Sequence, residues 1–120
     1  MPHMPRLRLR IVFDDARYFG PGKAQLLDEI ARTGSIAAAG RMMGMSYKRA
    51  WDLVREMNAM FSAPLVQQSR GGAGGGGAGL TQMGAEVLAL YREFEQAASQ
   101  SGGPALAALS ARLGDRSAPS

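Results

Sequence analysis

The sequence has no cysteine and one histidine. The first absence excludes a disulfide framework, a thiol nucleophile and every cysteine-based zinc or iron–sulfur site. The second leaves His3 alone near the N-terminus, unable to build a metal site by itself, so no metal is expected. Long apolar runs are missing as well: none approaches the ~18 residues of a membrane span. The arginines near the start are not followed by the uninterrupted apolar stretch of a secretory signal. Nowhere do a nucleophile and a base, or clustered carboxylates, stand in a pattern that serves catalysis. The sequence therefore predicts no catalytic residue, no enzyme and no membrane partner, with the cytoplasm as the default location.

What is present is a basic chain of 120 residues, with 14 Lys and Arg against 10 Asp and Glu and a net charge of +4. That length supports one domain with a core that needs no staple. The charge fits a polyanionic partner such as double-stranded DNA, although many domains without one are as basic. Glycine is plentiful and uneven: seven of the nine positions from Gly71 to Gly79 are glycine.

Arg6 to Phe13 alternates, with Leu7, Leu9, Ile11 and Phe13 on one face and Arg6, Arg8 and Arg10 on the other. This reads as a half-buried strand with one basic face. Asp14 to Gly22 reads as a loop and Lys23 to Arg32 as a short amphipathic helix stopped by Gly34. Ser35 is suited to cap a helix from Ile36 to Met43, and Ser46 one from Tyr47 to about Met60. Gly44 between them supplies the left-handed turn that costs other residues roughly 1–2 kcal/mol. Leu65 to Ser69 reads as a strand, and the glycine run as irregular chain. Thr81 caps a helix from Gln82 to about Ala98. Three helices followed by a two-stranded hairpin give a mainly α fold with a small β-hairpin, a winged helix-turn-helix, in which the first strand is expected to pair with the hairpin. Residues 1–100 form this domain, with the reading helix at about 46–60, the wing at about 65–81 and a dimerisation helix at about 82–98. Residues 101–120 are a short, partly disordered extension holding one short helix, Ala105 to Leu113.

Two capped helices joined by a short glycine-containing turn carry the functional argument. At ~100° per residue, Ala50, Val54, Met57 and Phe61 form one stripe of the second helix, with Tyr47 and Leu53 at its shoulders. Lys48, Asp52, Arg55 and Ala59 lie opposite, flanked by Arg49 and Glu56. The N-terminal part of such a helix enters the major groove. The DNA-binding candidates are accordingly Ser35, Ser46, Tyr47, Lys48, Arg49, Asp52 and Arg55. Basic side chains there suit guanine edges and phosphates, hydroxyls suit phosphates, and Asp suits cytosine N4. Arg70 is the charged anchor of the glycine-rich wing. A phosphate-cradling nucleotide loop is not expected, since no Lys-Ser/Thr follows the glycines. Val87, Leu88, Tyr91 and Phe94 are the candidate dimerisation residues of the helix after the wing, which makes a homodimer the expected assembly. The alternative is a winged-helix protein-interaction module, for which Asp52 and Glu56 on the exposed face speak.

Gly34-Ser35-Ile36, Ser46-Tyr47-Lys48-Arg49-Ala50-Trp51-Asp52 and Glu56-Met57-Asn58 closely resemble the DNA-binding domain of the molybdate-responsive ModE regulators. So do the glycines from Gly71 to Gly77, Leu80-Thr81 and Gly84. The resemblance spans about residues 6–98. LysR-type regulators share the capped turn and the Leu-Thr-x-x-Gly feature, but not the whole combination. The resemblance implies a dimeric winged-helix regulator, of the repressor kind, that reads a palindromic operator and controls molybdenum genes. It implies DNA-reading roles for Ser46, Tyr47, Lys48 and Arg49, and for Arg70 in the wing. The residues after the last long helix are too few for the family's oxyanion-sensing domains, so a single-domain relative is expected, with no cofactor of its own. Molybdate stays an open candidate because helix N-termini hold oxyanions.

Overall fold

A computed structural model describes residues 5–72 and 75–114, with the side chains of residues 70–76 outside that description. The element order is β1 (Ile11–Val12), β2 (Tyr18–Phe19), α1 (Pro21–Thr33), α2 (Ile36–Met42), α3 (Tyr47–Met60), β3 (Val66–Gly72), β4 (Gly75–Leu80), α4 (Gln82–Ser101) and α5 (Gly103–Ala111). This is a winged helix-turn-helix: three helices, a hairpin and a long following helix.

The caps sit where the serines and Thr81 are. Ser35 Oγ accepts from the Ala38 amide, Ser46 Oγ from Arg49 and Thr81 Oγ1 from Gly84. Each satisfies one amide that the first helical turn leaves without a partner. Gly44 adopts φ 70° between α2 and α3, and Met45 packs against the core from the turn. The core holds Phe19, Leu26, Leu27 and Ile30 below α1, Ala50, Leu53, Val54, Met57 and Met60 from α3, and Leu65 at the entry to the hairpin. Phe61 is only half-buried and Tyr47 is exposed, so the buried stripe of α3 runs through Leu53 and Met60 instead.

The structure corrects three expectations. First, β1 pairs with β2 rather than with the wing. Asp14 is the cause: its carboxylate accepts from the Ala16 and Arg17 amides and from the Arg17 guanidinium. This local turn folds the chain back at once, so residues 14–22 hold a strand and the start of α1. Second, the glycine run is not irregular, because Gly75–Leu80 is a strand. Gln67, Gln68 and Ser69 pair with Gly79, Ala78 and Gly77, and the Ala78 amide donates to the Gly34 carbonyl at 2.9 Å. Tertiary partners override glycine's low strand preference. Third, Tyr91, expected on a dimer surface, packs inside its own domain. It is 3% exposed, packs edge-on to Phe19 at 5.1 Å, and its hydroxyl donates to the Leu9 carbonyl at 2.5 Å. Burial pushes the Tyr91 phenol up in pKa, keeping the donor protonated. Val87 and Leu88 are half-buried against the same core. Of the four candidates only Phe94 faces outward, joined by Leu90. A 3.6-residue stripe shows which side chains share a face, not whether its own domain or a second copy covers them.

α4 runs to Ser101, past the expected end, and α5 follows with Pro104 in its first turn. No α5 residue is buried. Residues 115–120, where part of the extension was expected to be disordered, lie outside the described residues.

The first turn of α4 leans directly on the hairpin. A Cβ at Gly84 would overlap the Leu65 carbonyl oxygen and carbon, and Thr81 donates to the Pro64 carbonyl beside it. Because backbone cannot swing aside, G84A should cost about 2–3 kcal/mol, read as a urea midpoint lower by about 1 M. An unchanged midpoint would show that this close approach is dispensable.

Candidate nucleic-acid interface

The core stripe of α3 leaves its other side to solvent, and that side holds most of the sequence candidates. Lys48 is 87% exposed at its side chain, Tyr47 is 55% exposed, and Ser46, Arg49 and Arg55 are exposed. Tyr47, Lys48, Trp51 and Arg55 line one shallow cleft along the helix. The Trp51 indole N–H donates to the Tyr47 hydroxyl, and the Arg55 guanidinium lies over the Trp51 ring at 5.8 Å. Trp51 thus packs on the core at one edge and orders two polar candidates at the other.

Asp52 is tied to Lys48 one turn away at 2.9 Å. The hydrogen bond from Lys48 holds the Asp52 carboxyl below its ordinary value, and Arg55 and Arg49 add to the effect. Asp52 is therefore ionised at neutral pH. An exposed pair of this spacing is weak, so a phosphate can take Lys48 from it.

Other elements converge on the same side. Ser35, at the start of α2, shares a small cleft with Tyr47 of α3 and with Gln68 and Ala78 of the wing. Two contacts hold the wing there. Asn58 Oδ1 accepts from the Leu65 and Val66 amides while its Nδ2 donates to the Val66 carbonyl, and Ala78 bonds to Gly34. Arg70 belongs to β3, but its side chain lies outside the described residues.

Three features escaped the sequence reading. Asn58 appeared there only as part of a resemblance, whereas it clamps α3 to the hairpin. Gln68 completes the cleft beside Ser35. Lys23 was read as an ordinary helix residue, yet it is 3% exposed and its ammonium donates to Glu56 at 2.7 Å and to the Tyr18 carbonyl at 2.9 Å. Glu56 is consequently engaged in holding α3 to α1. That pairing weakens the support that Glu56 lends to an interaction module. Among the described residues no group of His, Asp or Glu is arranged to hold a metal ion, and no helix is long and apolar enough to cross a membrane.

Comparison with known proteins agrees with this geometry. Residues 22–85 match the family described as bacterial regulatory helix-turn-helix protein, lysR family. The molybdenum-pterin-binding protein MopB of Rhodobacter capsulatus is 49% identical over 76 residues, covering 63% of this chain and 28% of MopB. The DNA-binding transcriptional dual regulator ModE of Escherichia coli (strain K12) is 45% identical over 71 residues, covering 59% of this chain and 27% of ModE. The expected resemblance to ModE regulators is thus borne out, while the chain spans little more than a quarter of these relatives' length. In fold it is similar to a chain in the crystal structure of a CbnR_DBD-DNA complex. The TM-score is 0.57 and the identity 23%, over 73% of this chain and 95% of that one.

The Lys48–Asp52 pair gives a prediction. D52N frees Lys48 and removes a negative charge from the face, so affinity for a mixed-sequence duplex should rise about two- to fivefold. Fluorescence anisotropy at fixed salt measures it; a fall in affinity would mean that Asp52 does not oppose phosphate binding.

Proposed function

The chain belongs to the lysR family of bacterial regulatory helix-turn-helix proteins, and from that premise we propose that it is a sequence-specific, ModE-like transcription regulator that represses by occupying a palindromic operator as a homodimer. The observation that carries this reading is the division of α3. One face is core, and the other presents Ser46, Tyr47, Lys48, Arg49, Asp52 and Arg55 beside the N-terminus of α2 and the wing. The N-terminal residues of α3 read base edges, with Lys48 and Arg49 toward guanine or phosphate and Asp52 toward cytosine N4. Ser35 and Ser46 spend one lone pair on capping and keep a hydroxyl proton for a phosphate. Arg70 and the glycine-rich hairpin reach the neighbouring backbone. Repression follows from occupancy: a protein seated across an operator excludes polymerase from it.

The regulated genes are taken to be those of molybdenum handling, because relatives bear molybdenum in their names. The protein is read as non-enzymatic, cytoplasmic and without a cofactor of its own, and its domain as ending with α4, the rest being an extension. Selection of bound fragments from the chain's own genome, with and without molybdate, tests this. The enriched fragments should share a two-fold motif with half-sites about 34 Å apart, with or without molybdate. K48A and R49A should each weaken binding by about 1–3 kcal/mol if they read a base, or flatten the salt dependence by about one unit if they meet a phosphate. Binding indifferent to both substitutions and to salt would sink the reading.

Support for a homodimer comes from α4. Leu90 and Phe94 are 63% and 54% exposed and border an apolar groove with Phe13. The radius of gyration is 17.8 Å, where a compact chain of this length has about 14 Å. L90E/F94E should therefore give a monomer in sedimentation that binds a single half-site but loses the gain from the second. A variant still dimeric would place the interface elsewhere.

A further inference from the structure

The N-terminal arm carries a row of exposed positive charge outside the helix-turn-helix and the wing. Arg6, Arg8 and Arg10 are exposed, while Leu7, Leu9 and Ile11 between them are half-buried. The arm's facing is fixed at two points: the Tyr91 hydroxyl bonds to the Leu9 carbonyl, and Ile11 pairs with Phe19. Arg10 is held further. Its guanidinium lies 3.8 Å from the centre of the Tyr18 ring, and the buried Lys23 ammonium lies 3.6 Å from the same centre. Two cations so near one centroid must occupy opposite faces, so Tyr18 is sandwiched and Arg10 is kept on the outer side.

That outer side adjoins the reading helix. Arg10, Tyr18, Met45 and Arg49 line one cleft of about 220 Å³, and Arg49 stands in the first turn of α3. Among the described residues neither Arg49 nor any arginine of the arm forms an ion pair, whereas Arg17, Lys23, Arg32, Lys48 and Arg92 all do. Unpaired guanidiniums thus continue from the start of α3 onto the arm. In an extended chain alternate residues recur about every 6.6 Å, and a duplex carries a charge for about every 1.7 Å of axis, so each arginine can find a phosphate.

We propose that Arg6, Arg8 and Arg10 form a second DNA-contacting surface, which grips backbone phosphates flanking the bases that α3 reads. This rests on the DNA-binding reading above and adds to it a contact outside the helix-turn-helix and the wing. Such contacts raise affinity for any sequence and leave discrimination to α3.

The test is R6Q/R8Q/R10Q in the full chain, titrated against a genome-selected duplex and a mixed-sequence duplex, each about three helical turns long, over a range of salt. Both duplexes should lose the same affinity, and the slope of log K against log salt should flatten by about two to three, near 0.9 per phosphate. The ratio between the two duplexes should stay within about twofold. The triple lysine variant should recover most of the slope, which a merely structural loss would not allow, and R10Q alone should cost about one unit. Parental affinity and slope in the triple glutamine variant, with K48A still weakened, would overturn the proposal and leave the DNA reading standing. So would a lost ratio between duplexes, since the arm would then read bases. A parent chain with no salt-sensitive DNA binding would remove the DNA reading, and this proposal with it.

Discussion

A lysine with almost no access to water organises this domain. Burying an ammonium without partners costs several kcal/mol, so Lys23 has to be surrounded, and its surroundings come from three places. Tyr18 of β2 supplies a carbonyl and a ring face, Glu56 a carboxylate, and Met60 a thioether sulfur at 3.7 Å. Meeting that demand ties the start of α1 and the strand before it to the last two turns of α3. The apolar stripe of α3 decides which face is buried, and an apolar stripe tolerates some rotation. A hydrogen-bonded ion pair tolerates little. Lys23 therefore helps to set the angle at which the opposite face of α3 meets a partner.

The wing is positioned by the same kind of demand, met with neutral groups. A two-stranded hairpin is marginal in water, and glycine contributes no side chain to its packing. Asn58 compensates by satisfying both amides at the hairpin entry and one carbonyl. Gly84 compensates at the exit by letting α4 sit on the Leu65 carbonyl. Both anchors act at the base of the wing and fix it beside Ser35 and Tyr47. Local sequence thus specifies the reading helix, and long-range polar contacts specify what stands next to it.

This division explains what could be read in the chain without coordinates. The helices from Ile36 and Tyr47, their serine caps and the left-handed Gly44 depend on neighbours within four residues, and they were legible. So were the exposed candidates of α3, because a wheel needs only a helix to be right. The pairing of β1 was not, since the Asp14 turn competes with a distant hairpin and the alternating pattern of Arg6 to Phe13 suits either partner. The strand in the glycine run was hidden because its stabilisation lies in Gly34 and in β3, far from any propensity. The burial of Tyr91 is hidden from the sequence because no periodicity distinguishes a stripe that meets Phe19 from one that meets another molecule. Lys23 was invisible for the same reason: its partner is 33 residues away.

The distribution of charge matters more here than its sum. A net charge of +4 is unremarkable for a chain of this size, and it conceals a segregation. Several acidic side chains are paired within the chain: Asp14 on its own turn, Glu56 on Lys23, Asp28 and Glu95 on Arg92, Glu29 on Arg32. On the exposed side of α3, Asp52 is set against Lys48 in an exposed pair that a polyanion can displace. A potential of one sign over one face steers a charged partner even when the whole molecule is only mildly basic. With Arg10 lining the same cleft as Arg49, that face extends beyond the helix-turn-helix. Attraction to the duplex can then be supplied from positions that make no base contact, which leaves the residues at the head of α3 to be chosen for discrimination.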